Sequence, residues 1–304
     1  MAFKSVVLAA ALAALSNAQS LDKPALTSDL DYLLDGNVAN LPESNGAYWA
    51  KWAPGLIPKD CKSIAEDQDL NATDFEVYDI YYNDCEDPWS FCRHKNSSDS
   101  FDTLIHHFGR VPVKMRSWVR HLLTIPGANW AFNSNGNIAL SGTTDKNLDV
   151  ILHETGHSLD LLGAYGDEAL SSQQEWLDAY DADECVPDNY AQSSQVENVA
   201  QNTVVGIYDK NVPGGLPGIQ PDYTKIEHQY SLLQDKAGDL IVQGGMCDRH
   251  LENSDIVYAA TGETADVTFL SKRFARGVLP ARGFKGEYNK VLKTFLPFDS
   301  REFH

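Results

Sequence analysis

Residues 153 to 157 read His-Glu-Thr-Gly-His, inside an apolar run in which Val150, Ile151, Leu152, Leu159, Leu161 and Leu162 recur until Gly163 stops it. That pattern predicts a buried helix over 147 to 162. Positions four apart share one face of a helix, so His153 and His157 can both reach one zinc ion, at about 2.0–2.1 Å from each nitrogen. Glu154, next in sequence, projects beside that ion, where its carboxylate can take a proton from a water made acidic by zinc. Residue types and spacing together point to hydrolysis, with Zn²⁺ as cofactor and Glu154 as general base.

Hydrolytic zinc usually takes three protein ligands and keeps a fourth position open. The metzincin pattern puts a third histidine six residues after His157, but Gly163 stands there. Asp160 lies on the same helical face, yet it is about 10 Å along the axis from His153, so it is better placed to orient the His157 ring than to coordinate the metal itself. The preferred third ligand is Glu197, at the start of a helix expected near 193 to 207. The 40 residues between His157 and Glu197 suffice for a turn, a helix over 169 to 182 and a return. Glu175, Asp178, Asp183 and Glu184 compete for the same role.

His-Glu-Thr-Gly-His followed by Tyr190 and, seven residues later, Glu197 resembles the gluzincin arrangement of the anthrax lethal factor family and of clostridial proline-specific endopeptidases. The resemblance covers about 45 residues and implies His153, His157 and Glu197 as ligands, Glu154 as base and Tyr190 as oxyanion donor. A phenol donating to a developing alkoxide makes chemical sense independently of it. Over a longer stretch, about 78 to 200, the segments YYNDCEDPWSFCRHK, FGRVPVKMRSWVRH and HETGHSLD resemble fungal secreted conidiation-specific proteins, described as metallopeptidases. That resemblance says little about substrate.

Forty-three acidic against 24 basic residues give a formal charge of −19, a field that repels phosphate backbones and anionic membranes, so no nucleic-acid or membrane partner is expected. Lys4, the apolar run from Val6 to Leu15 and the small residues Ser16-Asn17-Ala18 read as a secretory signal over 1–18, cleaved after Ala18. Secretion into an oxidising medium lets disulfides persist. Of the five cysteines, Cys85 and Cys92 are expected to close a small loop, Cys185 and Cys247 to pair by elimination, and Cys61 to stay free. Asn71-Ala72-Thr73 and Asn96-Ser97-Ser98 are sequons in polar stretches, so Asn71 and Asn96 are expected to carry glycans.

Elsewhere the sequence predicts a strand over 75 to 82, a helix capped by Ser100 and a helix after Pro112 carrying Val113, Trp118, Val119, Leu122 and Leu123. A hairpin over 129 to 142 should turn at Asn135-Gly136. A helix near 225 to 235, a short strand over 240 to 242 and a last segment over 267 to 279 follow. Neither His106, His107, His121, His228 nor His250 has ligand spacing with another His or Cys. These readings sum to one domain over 19–304 with N- and C-terminal extensions, of α+β, helix-rich, zincin-like fold with a small sheet beside the 147 to 162 helix. The expected function is that of a secreted, monomeric zinc endopeptidase acting on a peptide or protein substrate. The alternative is a zinc-binding secreted or cell-surface protein that keeps a protease-like fold without turnover.

Overall fold

The computed structural model describes residues 20–44, 47–142, 147–265, 286–289 and 294–297. The signal over 1–18, its cleavage after Ala18 and the 267 to 279 segment lie outside the described residues. From the N-terminus the elements are β1 (Ala25–Thr27), α1 (Leu34–Asn40), β2 (Tyr48–Lys51), β3 (Leu56–Pro58), α2 (Lys59–Asp67), β4 (Phe75–Tyr81), β5 (Trp89–His94), α3 (Phe101–Arg110), α4 (Val113–Arg116) and β6 (His121–Thr124). There follow β7 (Trp130–Ser134), β8 (Asn137–Ser141), α5 (Asn147–Leu161), α6 (Gln174–Ala182), β9 (Val186–Asp188), α7 (Gln195–Asn211), α8 (Glu227–Ala237), β10 (Ile256–Tyr258), β11 (Gly286–Asn289) and β12 (Thr294–Pro297).

The class is α+β, but the sheet is not small. Eight strands form one mixed sheet in the order β12-β11-β2-β4-β5-β6-β8-β7, with β1–β9 and β3–β10 as separate pairs. Strands β5, β6 and β8 run parallel, and β7 folds back antiparallel on β8 as the outer strand. Successive side chains point to opposite faces of a sheet. Phe91, Leu122, Ile138 and Leu140 accordingly enter a core shared with α3, α5, α7 and α8, while Cys92, Leu123 and Ala139 enter a second core under α2.

This two-sided burial corrects two expectations. The helix drawn through Val113 to Leu123 ends after one turn, and His121–Thr124 is a strand buried along its whole length. A strand covered on both faces loses the alternation that marks it in sequence. The cysteines pair as Cys61–Cys92 and Cys85–Cys247, leaving Cys185 free and buried, rather than as Cys85–Cys92 and Cys185–Cys247 with Cys61 free. Cys92 points into the layer that holds Cys61 on α2, whereas Cys85 sits in the opposite core beside Cys247, so the sheet separates the two closest cysteines in sequence.

Residues 240 to 242 form a turn rather than a strand. Leu240 N–H donates to the Ala237 carbonyl at 2.9 Å, and the Ile241 carbonyl accepts from Asn211 at 2.9 Å, so no strand partner is engaged. The other landmarks fall where the sequence puts them. Ser100 accepts from Thr103 N–H at 3.2 Å to cap α3. The β7–β8 turn carries Asn135 and Gly136 at φ of 52° and 81°, the pair of left-handed residues such a hairpin needs. Gly163, at φ 86°, follows the end of α5. Asn71 and Asn96 are both exposed.

Candidate metal centre

Helix α5 is buried around nearly its full circumference, with α7 packed across it. The crossing is closest at Gly156, where a Cβ would stand 3.0 Å from Thr203 Oγ1 and 3.2 Å from the Ala200 Cα. The glycine inside the His-Glu-Thr-Gly-His motif is thus what lets α7 approach. Ser194 caps α7 by accepting from Glu197 N–H at 3.2 Å, which fixes Glu197 in the first turn, facing α5.

Three atoms converge as a result. His153 Nε2 and His157 Nε2 are 3.1 Å apart, and Glu197 Oε2 lies 3.1 Å from the first and 3.2 Å from the second. The rings stand nearly perpendicular, at 87°, with centroids 4.7 Å apart. His153 Nδ1 lies 2.8 Å from Gln201 Oε1, which can only accept, so its proton sits there and its Nε2 turns a lone pair to the centre. A cation placed among these three atoms would accept a lone pair from each of them. Four ligands about 2.0–2.1 Å from a tetrahedral zinc stand about 3.3–3.4 Å apart, so the observed triangle fits one face of such a site. Among the described residues, His153, His157 and Glu197 form the group of three suited to hold a metal ion.

Burial alone would favour neutral groups here, but the charges outweigh it. His153 is pushed down by burial, yet the carboxylates of Glu197 and Glu154 bring it above the ordinary imidazole value. Glu197 is raised by burial and then pulled down by the two imidazoles to about 2. Glu154 is only 4 % exposed, and burial holds its carboxyl above the usual range. Its Oε2 has no hydrogen-bond partner among the described residues.

Glu154 and His153 line a cavity of about 400 Å³, together with Trp130 and Ala131 of β7 and with Tyr190. Asn133 binds β7 to α5 by donating to the Glu154 carbonyl at 2.7 Å and to Ser158 Oγ at 2.8 Å. Tyr190 is 54 % exposed, its ring centroid 5.4 Å from that of His153. Partial burial pushes its phenol up to about 12, with Glu197 and Glu154 adding to the effect. Asp160 is buried one turn beyond His157, and its Oδ1 accepts from Ser171 N–H at 2.9 Å. Its second oxygen and His157 Nδ1 make no hydrogen bond among the described residues.

The competing acids have other partners. Glu175 pairs with Lys236 at 2.6 Å, Asp178 accepts from Gln174 at 2.8 Å, and Asp183 accepts two backbone N–H groups at the start of α8. Glu184 is an exposed residue beyond the end of α6. Two residues at the centre went unread in the sequence. Gln201 holds His153 and also donates to Asp188 Oδ2 at 2.5 Å, while Asp188 Oδ1 accepts from the N–H groups of Tyr190 and Ala191 at 3.1 and 2.9 Å. Gln201 stands four residues after Glu197, on the same helical face, and that spacing is the signal that marks it.

Fold and site together define a mixed α+β protein with a His-His-Glu cluster, its histidines buried and its glutamate half-buried, beside the outer strand of its sheet. The family model for conidiation-specific protein Con-13 matches residues 29–267, and the chain belongs to that family. Conidiation-specific protein 13 of Neurospora crassa is 34% identical over 167 residues, which cover 54% of this chain and 49% of that protein. The chain thus spans about half the length of the curated relative it matches. No solved structure matches it.

Proposed function

We propose that the protein is a secreted zinc endopeptidase of zincin-like fold, with His153, His157 and Glu197 holding the metal. The observation that carries this reading is the Nε2–Nε2–Oε2 triangle with the buried, unengaged Oε2 of Glu154 beside it. A structural zinc site is normally closed by a fourth protein ligand, and a buried carboxyl oxygen kept without a partner at a cost in stability beside the centre favours a chemical role for Glu154. When bound, zinc supplies Lewis-acid polarisation and lowers the pKa of a water.

The chain's own residues do the rest. Glu154 takes the proton of the attacking water at its carboxylate and returns it to the leaving amine. Tyr190, at the mouth of the cavity, donates its O–H to the carbonyl oxygen as that oxygen gains charge. Gln201 and Asp188 hold the His153 ring and its tautomer fixed. Strand β7, outermost in the sheet and lining the cavity at Trp130 and Ala131, offers its open edge to an extended peptide, which favours a peptide over other hydrolysable substrates. Two disulfides support export to an oxidising medium, where the leader over 1–18 would send the chain.

The test combines metal analysis with digestion of a broad peptide library on one purified sample. One zinc per chain and peptide cleavage are expected, and Glu154→Gln should keep the zinc while cleavage falls by about 10²–10⁴-fold or more. Zinc without cleavage would turn the reading toward a non-catalytic zinc-binding protein, and full activity in Glu154→Gln would remove the mechanism.

A further inference from the structure

The segment Ser20–Leu33 lies against the chain that carries Asp188 and Tyr190. Strand β1 pairs in parallel with β9, Ala25 opposite Val186 and Thr27 opposite Asp188. Val186 N–H donates to the Pro24 carbonyl at 3.0 Å, and Leu21 N–H donates to the Gln192 carbonyl at 2.7 Å. Gln192 returns a bond to the Lys23 carbonyl at 2.9 Å. The Lys23 ammonium reaches the carbonyls of Tyr180, Asp181 and Asp183 at the end of α6, and the Tyr180 hydroxyl donates to Asp22 at 2.7 Å. Thr27 Oγ1 donates to the Pro187 carbonyl at 3.0 Å.

These contacts end one residue from the metal centre's support. Pro187 precedes Asp188, Asp188 holds Gln201, and Gln201 holds His153. Independently, Asp29, Leu30 and Asp31 line the same cavity as Glu154 and Tyr190. The segment therefore bears on the site twice, through the Asp188–Gln201 support of His153 and from the cavity wall.

We propose that Ser20–Leu33 is a positioning strap: it holds the Asp188–Tyr190 segment in register, and through Gln201 it fixes His153 for the metal and Tyr190 for the substrate. This rests on the zinc-site reading above. It follows that trimming the chain N-terminally past Thr27 disables the site without removing any ligand.

The experiment uses the full chain carrying Lys23→Ala and Thr27→Val together, a chain lacking residues 19–28, and Thr27→Ser as the conservative variant. Two quantities are read, zinc affinity by competition with a chromophoric chelator and hydrogen exchange of the Tyr190 and Ala191 amides. In the double variant, affinity is expected to fall by about 10-fold or more, as for other supports of a metal ligand, and both amides to exchange faster. Thr27→Ser, which keeps the hydroxyl and leaves Lys23 in place, should hold both at the wild-type level, and amides of the β5–β6 ladder should keep their protection in the double variant, which a loss of overall stability would not allow. Combining the double variant with Gln201→Leu should add little, since both act on the same ring.

Unchanged affinity and unchanged exchange in the double variant and in the truncated chain overturn the strap. If the wild-type chain takes up no zinc, the metal reading fails on its own. Amide exchange then still decides whether the strap holds Asp188–Tyr190, with unaltered protection counting against it.

Discussion

His153 and His157 on α5, and His121 on β6, are all nearly enclosed, but their neighbours differ. On α5 two imidazoles turn toward a carboxylate on α7, and the carboxylates hold the proton affinity of His153 up despite burial. On β6 the ring of His121 meets Ser254, whose Oγ and N–H lie 3.0 and 3.2 Å from its Nε2. Among the described residues no acid offsets its burial: Arg120 and His250 add to the push, a backbone hydrogen bond with Ser90 opposes it only in part, and its pKa drops to about 3. Burial by itself makes a neutral, packed histidine. It takes a carboxylate delivered by another element to turn burial into a place for a cation.

The difference can be broken at the α5 end by taking away the metal. A ligand present at about 1,000 times its dissociation constant stabilises the native state by about 4 kcal/mol. Thermal scans with and without a chelator should therefore differ by on the order of 10 °C in a chain of this size. An unshifted melting point in the metal-loaded protein would count against a metal at α5.

Removing the delivered carboxylate should cost nearly as much. Glu197→Ala is expected to weaken zinc binding by at least about 100-fold, whereas Ser254→Ala, at the other histidine, should leave it unchanged. A chelator titration of the two variants side by side checks this. Equal losses would mean that the variants act through general loosening and not through ligation.

Part of this contrast was legible in the sequence and part was not. The four-residue spacing of the histidines, the Gly163 stop and the helix start expected just before Glu197 are local signals, and local signals survive folding. So did the Asn135-Gly136 turn, because its backbone conformation admits few other residues. What failed depends on which layer a residue faces. Leu122 and Leu123 look like one stripe of a helix, yet they point to opposite sides of a sheet. Cys85 and Cys92 are near in sequence but separated by that same sheet, so sequence distance misjudged their pairing. Gln201 escaped because an amide carries no charge and belongs to no ligand pattern, although its place one turn after Glu197 was in view.

Gln201 sharpens the comparison by a smaller step. It accepts the Nδ1 proton of His153 at 2.8 Å and so decides which nitrogen faces the centre. Gln201→Leu keeps the ligands and removes that choice, and zinc affinity should fall by about 10–100-fold, the usual effect of losing such a support. Gln201→Glu keeps an acceptor for Nδ1 but sets a second carboxylate against Asp188, so it should recover only part of that loss. If the leucine variant binds zinc as tightly as the wild type, the ring is held by packing alone.

The smallest effect lies at the His121 end. An unfolded histidine titrates near about 6.5, whereas in the folded chain burial, with Arg120 and His250, keeps His121 neutral down to about 3. Between these values the unfolded chain binds the extra proton. The stability tied to His121 is thus complete above about pH 6.5 and is lost as the pH falls toward 3, by up to about 1.4 kcal/mol per pH unit. Other groups titrate in the same range, so the useful quantity is the difference between wild type and His121→Gln, which cannot take up that proton. Denaturant unfolding at pH 7, 6 and 5, in chelator so that the α5 site contributes equally to both, should show the wild type losing stability faster than the variant. Parallel losses from pH 7 to 5 would mean that His121 titrates freely inside the fold, and burial without a carboxylate would then not suffice to keep a histidine neutral here.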